Sequence, residues 1–286
     1  MLHHDNHKDI WPVYPTVVAD FLKEELKIGK RYAVLDIHTR SSELTPLLLH
    51  KVHLMCSVTP EAEYHQILKQ SYATEDNFLS LNATPDLLPI EDDAMHCVAI
   101  DDVLMQFDPI RVAKEFERIL RLNSYVLFFQ KRLRKQQNTF SKVYHQYLQD
   151  QKIETKLTSP LAVKPMVVDF FGAGLYTKDF EGQQYLNWQE LLQYTDTLAK
   201  QHGLYYDVAA LQSLFNEFEE EHRVKLAYNI HLSYGLFNKS VPDISLKKSI
   251  FFNVLRPFAF GFYLLIKANI YFWKYMKRLF GRKKIR

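Results

Sequence analysis

LLPIEDDAMHCVAIDDVLMQFDPIRVAKEFERILR, residues 87–121, holds one strand, one turn and one helix in full. MHCVAIDDV (95–103) is an almost unbroken apolar run, the pattern of a strand covered on both faces. PIRVAKEFERILRL (109–122) opens on a proline, whose missing N–H costs nothing in a first helical turn, and its apolar residues recur at helical spacing. SYVLFFQ (124–130) then reads as the next strand. Toward the N-terminus, YAVLDI (32–37), VHLMCSV (52–58) and NFLSLNA (77–83) read as strands. Between and before them, TVVADFLKEELKI (16–28, closed by Gly29), SELTPLLLHK (42–51, after its Pro46) and PEAEYHQILKQ (60–70) read as helices. Buried strands alternating with helices predict an α/β, doubly wound fold, an open parallel sheet with helices on both faces. Beyond residue 132 the pattern is mixed. NWQELLQYTDTLAKQ (187–201) and DVAALQSLFNEFEEEH (207–222) are helical, and RVKLAYNIHLSYGLF (223–237) alternates like a strand. The basic run KRLRKQQ (131–137) is expected to start a solvated helix, or else to join an anion-contacting surface.

The 286 residues include only eight glycines, and none lies between Lys30 and Phe171. That gap excludes the glycine-rich loops that cradle phosphates, and no Ser/His/Asp or Cys/His nucleophile pattern is visible. Cys56 and Cys97 sit in apolar runs and read as inert core thiols in a reducing, cytoplasmic setting. The first ten residues have no apolar segment, so no secretory leader is expected there. His3, His4 and His7 have ligand-like spacing, but on a terminus they read as a solvated tail. Glu91, Asp92 and Asp93 with Asp101 and Asp102 could be drawn as a metal cluster. Surface-loop and capping roles are expected instead, and no metal site is assigned.

The order of these elements, with several specific words, resembles the class I S-adenosylmethionine (SAM) dependent methyltransferases of the small-molecule type. The words are Tyr14-Pro15 before the first helix, VLDI (34–37), VTPEAEY (58–64), the 87–121 stretch with Phe107-Asp108-Pro109, NWQELLQYTDTLAK (187–200) and RVKLAYNIHLSYG (223–235). The resemblance spans about 14–238 and implies a Rossmann-like methyltransferase sheet. It also implies where SAM would bind, and there the chain departs from the family. The three positions matching the glycines of the first turn are His38, Arg40 and Ser42. A glycine there admits the ligand because it has no Cβ and tolerates positive φ. The ribose-binding carboxylate after the second strand is matched by Thr59. The acidic residue facing the adenine is matched by Thr84, and a Pro-Gly-Gly turn by Leu122-Asn123-Ser124. Asp36, at the end of the first strand, is retained, and Asp101 stands at the rim of the implied site. Two lost carboxylate contacts would weaken the cofactor by about 3–6 kcal/mol. The expectation is a degenerate SAM site at Asp36, His38, Arg40, Ser42, Thr59, Thr84 and Asp101 that holds no cofactor, with SAM as the cofactor if the protein is active.

The last part of the chain differs in kind. No acidic residue follows Asp243, and residues 247–286 carry eleven Lys and Arg, so the preceding 246 residues carry −8 of the net +3. The longest uncharged stretch in the tail, Pro257–Ile266, is half what a spanning helix needs. At 100° per residue, Arg256, Lys267, Lys274, Lys277 and Arg278 share one stripe, and Phe258, Phe262, Phe272 and Trp273 occupy other sectors. This is the pattern of an amphipathic helix lying in a bilayer interface with snorkelling cations. Three segments are therefore expected: an N-terminal tail 1–15, an α/β domain 16–240 and a membrane-association segment 241–286. Anionic lipid is the expected partner of the last segment. Packing against the body or a membrane-protein partner is the alternative, and specific nucleic-acid binding is not expected. Two functions remain open. One is a non-catalytic, methyltransferase-like scaffold at the cytoplasmic membrane face. The other is an active SAM-dependent methyltransferase acting on a lipophilic or membrane-delivered small molecule.

Overall fold

Strand β1 (Ala33–Ile37) is buried at every residue, and so is β2 (Leu54–Thr59) after its first. Such strands belong in the middle of a covered sheet. In the computed structural model, which describes residues 13–38, 43–101, 107–134, 139–153, 174–201 and 203–237, they lie next to each other in parallel register, Leu35 opposite Cys56 and Ile37 opposite Val58. β3 (Phe78–Asn82), β4 (Met95–Ile100) and β5 (Leu120–Leu133) extend the parallel set. β6 (Tyr176–Leu186) and β7 (Val224–Leu236) add an antiparallel pair, giving the order β3-β2-β1-β4-β5-β7-β6. The expected parallel sheet is thus five strands of a mixed seven-stranded one. The order reverses between β1 and β4, which makes that crevice the topological switch point.

The described helices are α1 (Thr16–Glu24), α2 (Leu44–Leu48), α3 (Ala62–Ser71), α4 (Pro109–Ile119), α5 (Phe140–Asp150), α6 (Trp188–Gln201) and α7 (Val208–Phe218). Val112, Phe116 and Ile119 of α4 pack with Leu35, Ile37, Val98 and Val126 in one core. Val18, Ala19 and Leu22 of α1 and Leu44 and Leu48 of α2 pack on the alternate residues Val34, Met55, Cys97 and Leu127 in a second. A third core joins α5, α6 and α7 to Leu186, Val224 and Leu226. Both cysteines are buried.

Several boundaries differ from expectation. α1 stops at Glu24, not at Gly29, because Lys27 takes φ 57° and turns the chain. α2 begins before Pro46, which sits in its first turn where no N–H is needed. β5 starts directly after α4 and runs through Leu122-Asn123-Ser124, with Asn123 at φ 60° and a register shift opposite Met95–Cys97. Asparagine tolerates that conformation better than most residues. Residues 131–133 are strand, not the start of a solvated helix. No strand is expected at β6 from the sequence because its period is weak: it buries only Phe180 and Leu186. No described helix is long and apolar enough to cross a membrane. The segment 241–286 and its contact residues, from Arg256 to Arg278, lie outside the described residues, as do Arg40, Ser42 and Asp102.

Candidate functional site at the carboxyl edge of the sheet

Open α/β sheets bind ligands outside the carboxyl ends of their strands at the switch point. Here that edge is formed by Ile37-His38, Thr59 and Ile100-Asp101. The backbone continues the sheet for one more step, with the His38 N–H donating to the Val58 carbonyl (3.0 Å) and the Asp101 N–H to that of Ile37 (3.3 Å).

His38 is the centre of the arrangement. Its ring is 2% exposed, and Nε2 lies 2.7 Å from the Ser57 hydroxyl. Nδ1 is buried with no hydrogen-bond partner among the described residues. Burial first, and the nearby Lys131 ammonium second, push its pKa down to about 3, so the ring is neutral at any ordinary pH. Asp36, two residues earlier on the same face, is also buried and accepts from the Thr45 hydroxyl of α2 (3.3 Å). Thr59 is fully buried, and its hydroxyl accepts the Glu61 N–H (3.2 Å). Its carbonyl receives the Ala83 N–H (3.2 Å) and the Asn82 side-chain amide (3.0 Å). Thr84 forms a small turn with Leu87, whose N–H donates to the Thr84 carbonyl (3.1 Å). The edge thus gathers Asp36, His38, Thr59 and Asp101 at the ends of β1, β2 and β4. Thr84 stands just past β3.

β5 overruns this edge. Phe128 is level with Ile100, the last residue of β4, and five further residues continue to Leu133. Lys131 in the overrun shares the parity of Leu127 and Phe129, so it faces the α1–α2 side. Its ammonium pairs with Glu43, at the start of α2, and sits 5.0 Å from the centroid of the Tyr14 ring. The Glu43 side chain is 9% exposed and that of Lys131 20%. Tyr14 in turn stacks on Phe129 at 4.8 Å. Sequence reasoning placed neither Lys131 nor Glu43 in the site. Carrying the period of two onward from Leu127 and Phe129 would have pointed Lys131 inward.

Asp92 of the 91–93 loop serves the fold. Arg118 of α4 donates to Asp92 (3.0 Å), to Glu115 (2.6 Å) and to the carbonyls of Leu88 (2.9 Å) and Ile90 (2.6 Å). Among the described residues no group of three or more His, Cys, Asp or Glu side chains could hold a metal ion.

An adenosyl ligand at this edge needs an acceptor for its ribose hydroxyls after β2 and open space beside the end of β1. At the first position the Thr59 hydroxyl accepts the Glu61 N–H, and at the second the His38 imidazole is buried beside Ser57.

No family model matches the chain, and no curated protein does. Solved structures do. A candidate type II methyltransferase from Anaeromyxobacter dehalogenans superposes with TM-score 0.52 at 14% identity, over 79% of this chain and 97% of that one. The YcgJ protein of Bacillus subtilis gives 0.48 at 12% identity, over 79% and 100%. Geranyl diphosphate C-methyltransferase from Streptomyces coelicolor, solved with Mg²⁺, geranyl diphosphate and S-adenosyl-L-homocysteine, gives 0.42 at 13% identity, over 76% and 77%. The first of these carries the conclusion, and it concerns the fold: the chain is built as a Rossmann-like methyltransferase sheet with helices on both faces.

Proposed function

We propose that this methyltransferase-like protein is a pseudoenzyme. In this reading it works at the cytoplasmic face of an anionic membrane as a scaffold or partner in a membrane or lipid-linked pathway. The observation that carries the reading is the buried His38 imidazole at the end of β1, bonded to Ser57 where the fold would admit a ligand. The engaged Thr59 hydroxyl supports it, since a missing charged acceptor costs about 1.5–3 kcal/mol of binding. Membrane attachment is supported by composition: eleven cations and no acid in residues 247–286, interleaved with aromatics.

The second reading is an active SAM-dependent methyltransferase acting on a lipophilic molecule. It is favoured by Asp36, an acidic position of the implied site that is kept, buried at the end of β1. Calorimetric titration of the full chain with SAM and with S-adenosylhomocysteine separates the two. The scaffold reading expects no heat at millimolar ligand, and micromolar binding would overturn it. Membrane attachment is checked by co-sedimentation with phosphatidylserine vesicles. The full chain is expected to pellet, and the 1–246 fragment to stay in solution. Equal pelleting of both would remove the tail from the reading.

A further inference from the structure

We propose that the crevice at the switch point carries its own resident cation: the Lys131 ammonium, held by Glu43 and capped by the Tyr14 ring, latches three separate parts of the chain together in place of a bound ligand. Glu43 belongs to the entry of α2, Lys131 to the overrun of β5, and Tyr14 to the segment that enters α1. They are far apart in sequence and meet only at the carboxyl edge. A lysine buried to this degree has to find a carboxylate or an aromatic face, and here it has both. The Tyr14 end of the latch is itself anchored. Its ring stacks on Phe129, and the neighbouring Val13 carbonyl accepts the Tyr228 hydroxyl at 2.6 Å.

In a ligand-binding member of such a fold, the ligand bridges the turn after β1 to the rest of the edge. In this chain the Glu43–Lys131 pair ties the entry of α2 to the overrun of β5, with the buried His38 ring close enough to feel the ammonium. The latch deepens the non-catalytic reading and rests on it only for its meaning; its existence can be tested alone.

The test is a double-mutant cycle on the full chain, with Lys131→Met, Glu43→Gln and both together, read by thermal unfolding. Each single variant removes one charge of a partly buried pair and is expected to unfold about 3–8 °C lower. The double variant should lose no more than the worse single one, because the interaction between the two charges can be lost only once. Hydrogen exchange at the amides of residues 16–20 should quicken in Lys131→Met, since the Tyr14 cap loses its cation. Additive losses across the cycle, with exchange unchanged, would overturn the latch. The outcome stands apart from the cofactor question: SAM binding to a chain whose cycle shows coupling would sink the non-catalytic reading and leave the latch in place.

Discussion

His38 holds a neutral imidazole in a place where solvent cannot reach it, and that has a cost that depends on pH. In the unfolded chain the ring binds a proton near pH 6.5; in the folded chain burial and Lys131 delay protonation to about pH 3. Between those values the unfolded state binds more protons. The stabilisation is therefore fully present above pH 6.5 and is lost as pH falls through the window, by up to about 1.4 kcal/mol per pH unit. The wild-type chain is expected to lose about 2 kcal/mol from this group between pH 6.5 and 5, before most carboxylates titrate. His38→Gln, which can still reach Ser57, should flatten that part of the profile. Denaturant titrations of both chains at pH 5, 6 and 7 measure it, and parallel profiles would mean that His38 does not bear the pH dependence. Asp36, also buried at this edge, acts on the two cysteines. Its charge adds to burial in raising the thiol of Cys56 to about 12 and that of Cys97 higher still, so neither is a ready nucleophile.

At the scale of elements, the β6–β7 pair contains a contact that no period in the sequence announces. Gly182 of β6 lies under the ring of Tyr228 on β7, and a Cβ built there would stand 2.2 Å from the ring Cε2 and 2.5 Å from Cζ. Gly182→Ala must therefore push the ring away, and with it the hydroxyl that holds the Val13 carbonyl. The expected loss is about 1–3 kcal/mol of stability, seen as a lower midpoint in urea. Tyr228→Leu in the same background should recover part of it; no recovery would place the cost elsewhere. The five parallel strands and α4 were legible because their periods are strong and their ends are marked. Pro109 opens α4 and the Asp108 side chain accepts the Ile110 N–H at its start. β6 was not legible because most of its residues are exposed and polar, and α5 because it packs in the third core, built from segments remote in sequence. The polar edge was half legible. Its positions could be named from the resemblance, but whether Lys131 turned inward depended on where β5 ended, and boundaries are what a periodic pattern fixes worst.

Considered as a whole molecule, the chain pairs an acidic body with a basic, aromatic end, and its two outer strands differ sharply. β3 is short, five residues, whereas β6 presents eleven. A strand of that length at the margin of a sheet offers a ladder of unmet backbone groups to any extended peptide. What guards it is charge: Lys178, Asp179 and Glu181 stand exposed along it, with Asp179 2.7 Å from His231 and Glu181 2.8 Å from Arg134. Neutralising all three, as Lys178→Thr, Asp179→Thr and Glu181→Thr, would leave a threonine- and tyrosine-rich ribbon. Light scattering at rising concentration is expected to report self-association of that variant while the parent stays dispersed. Under the proposed membrane attachment, copies of the chain would meet at high local density, and the three charges would there decide between a dispersed layer and a fibril.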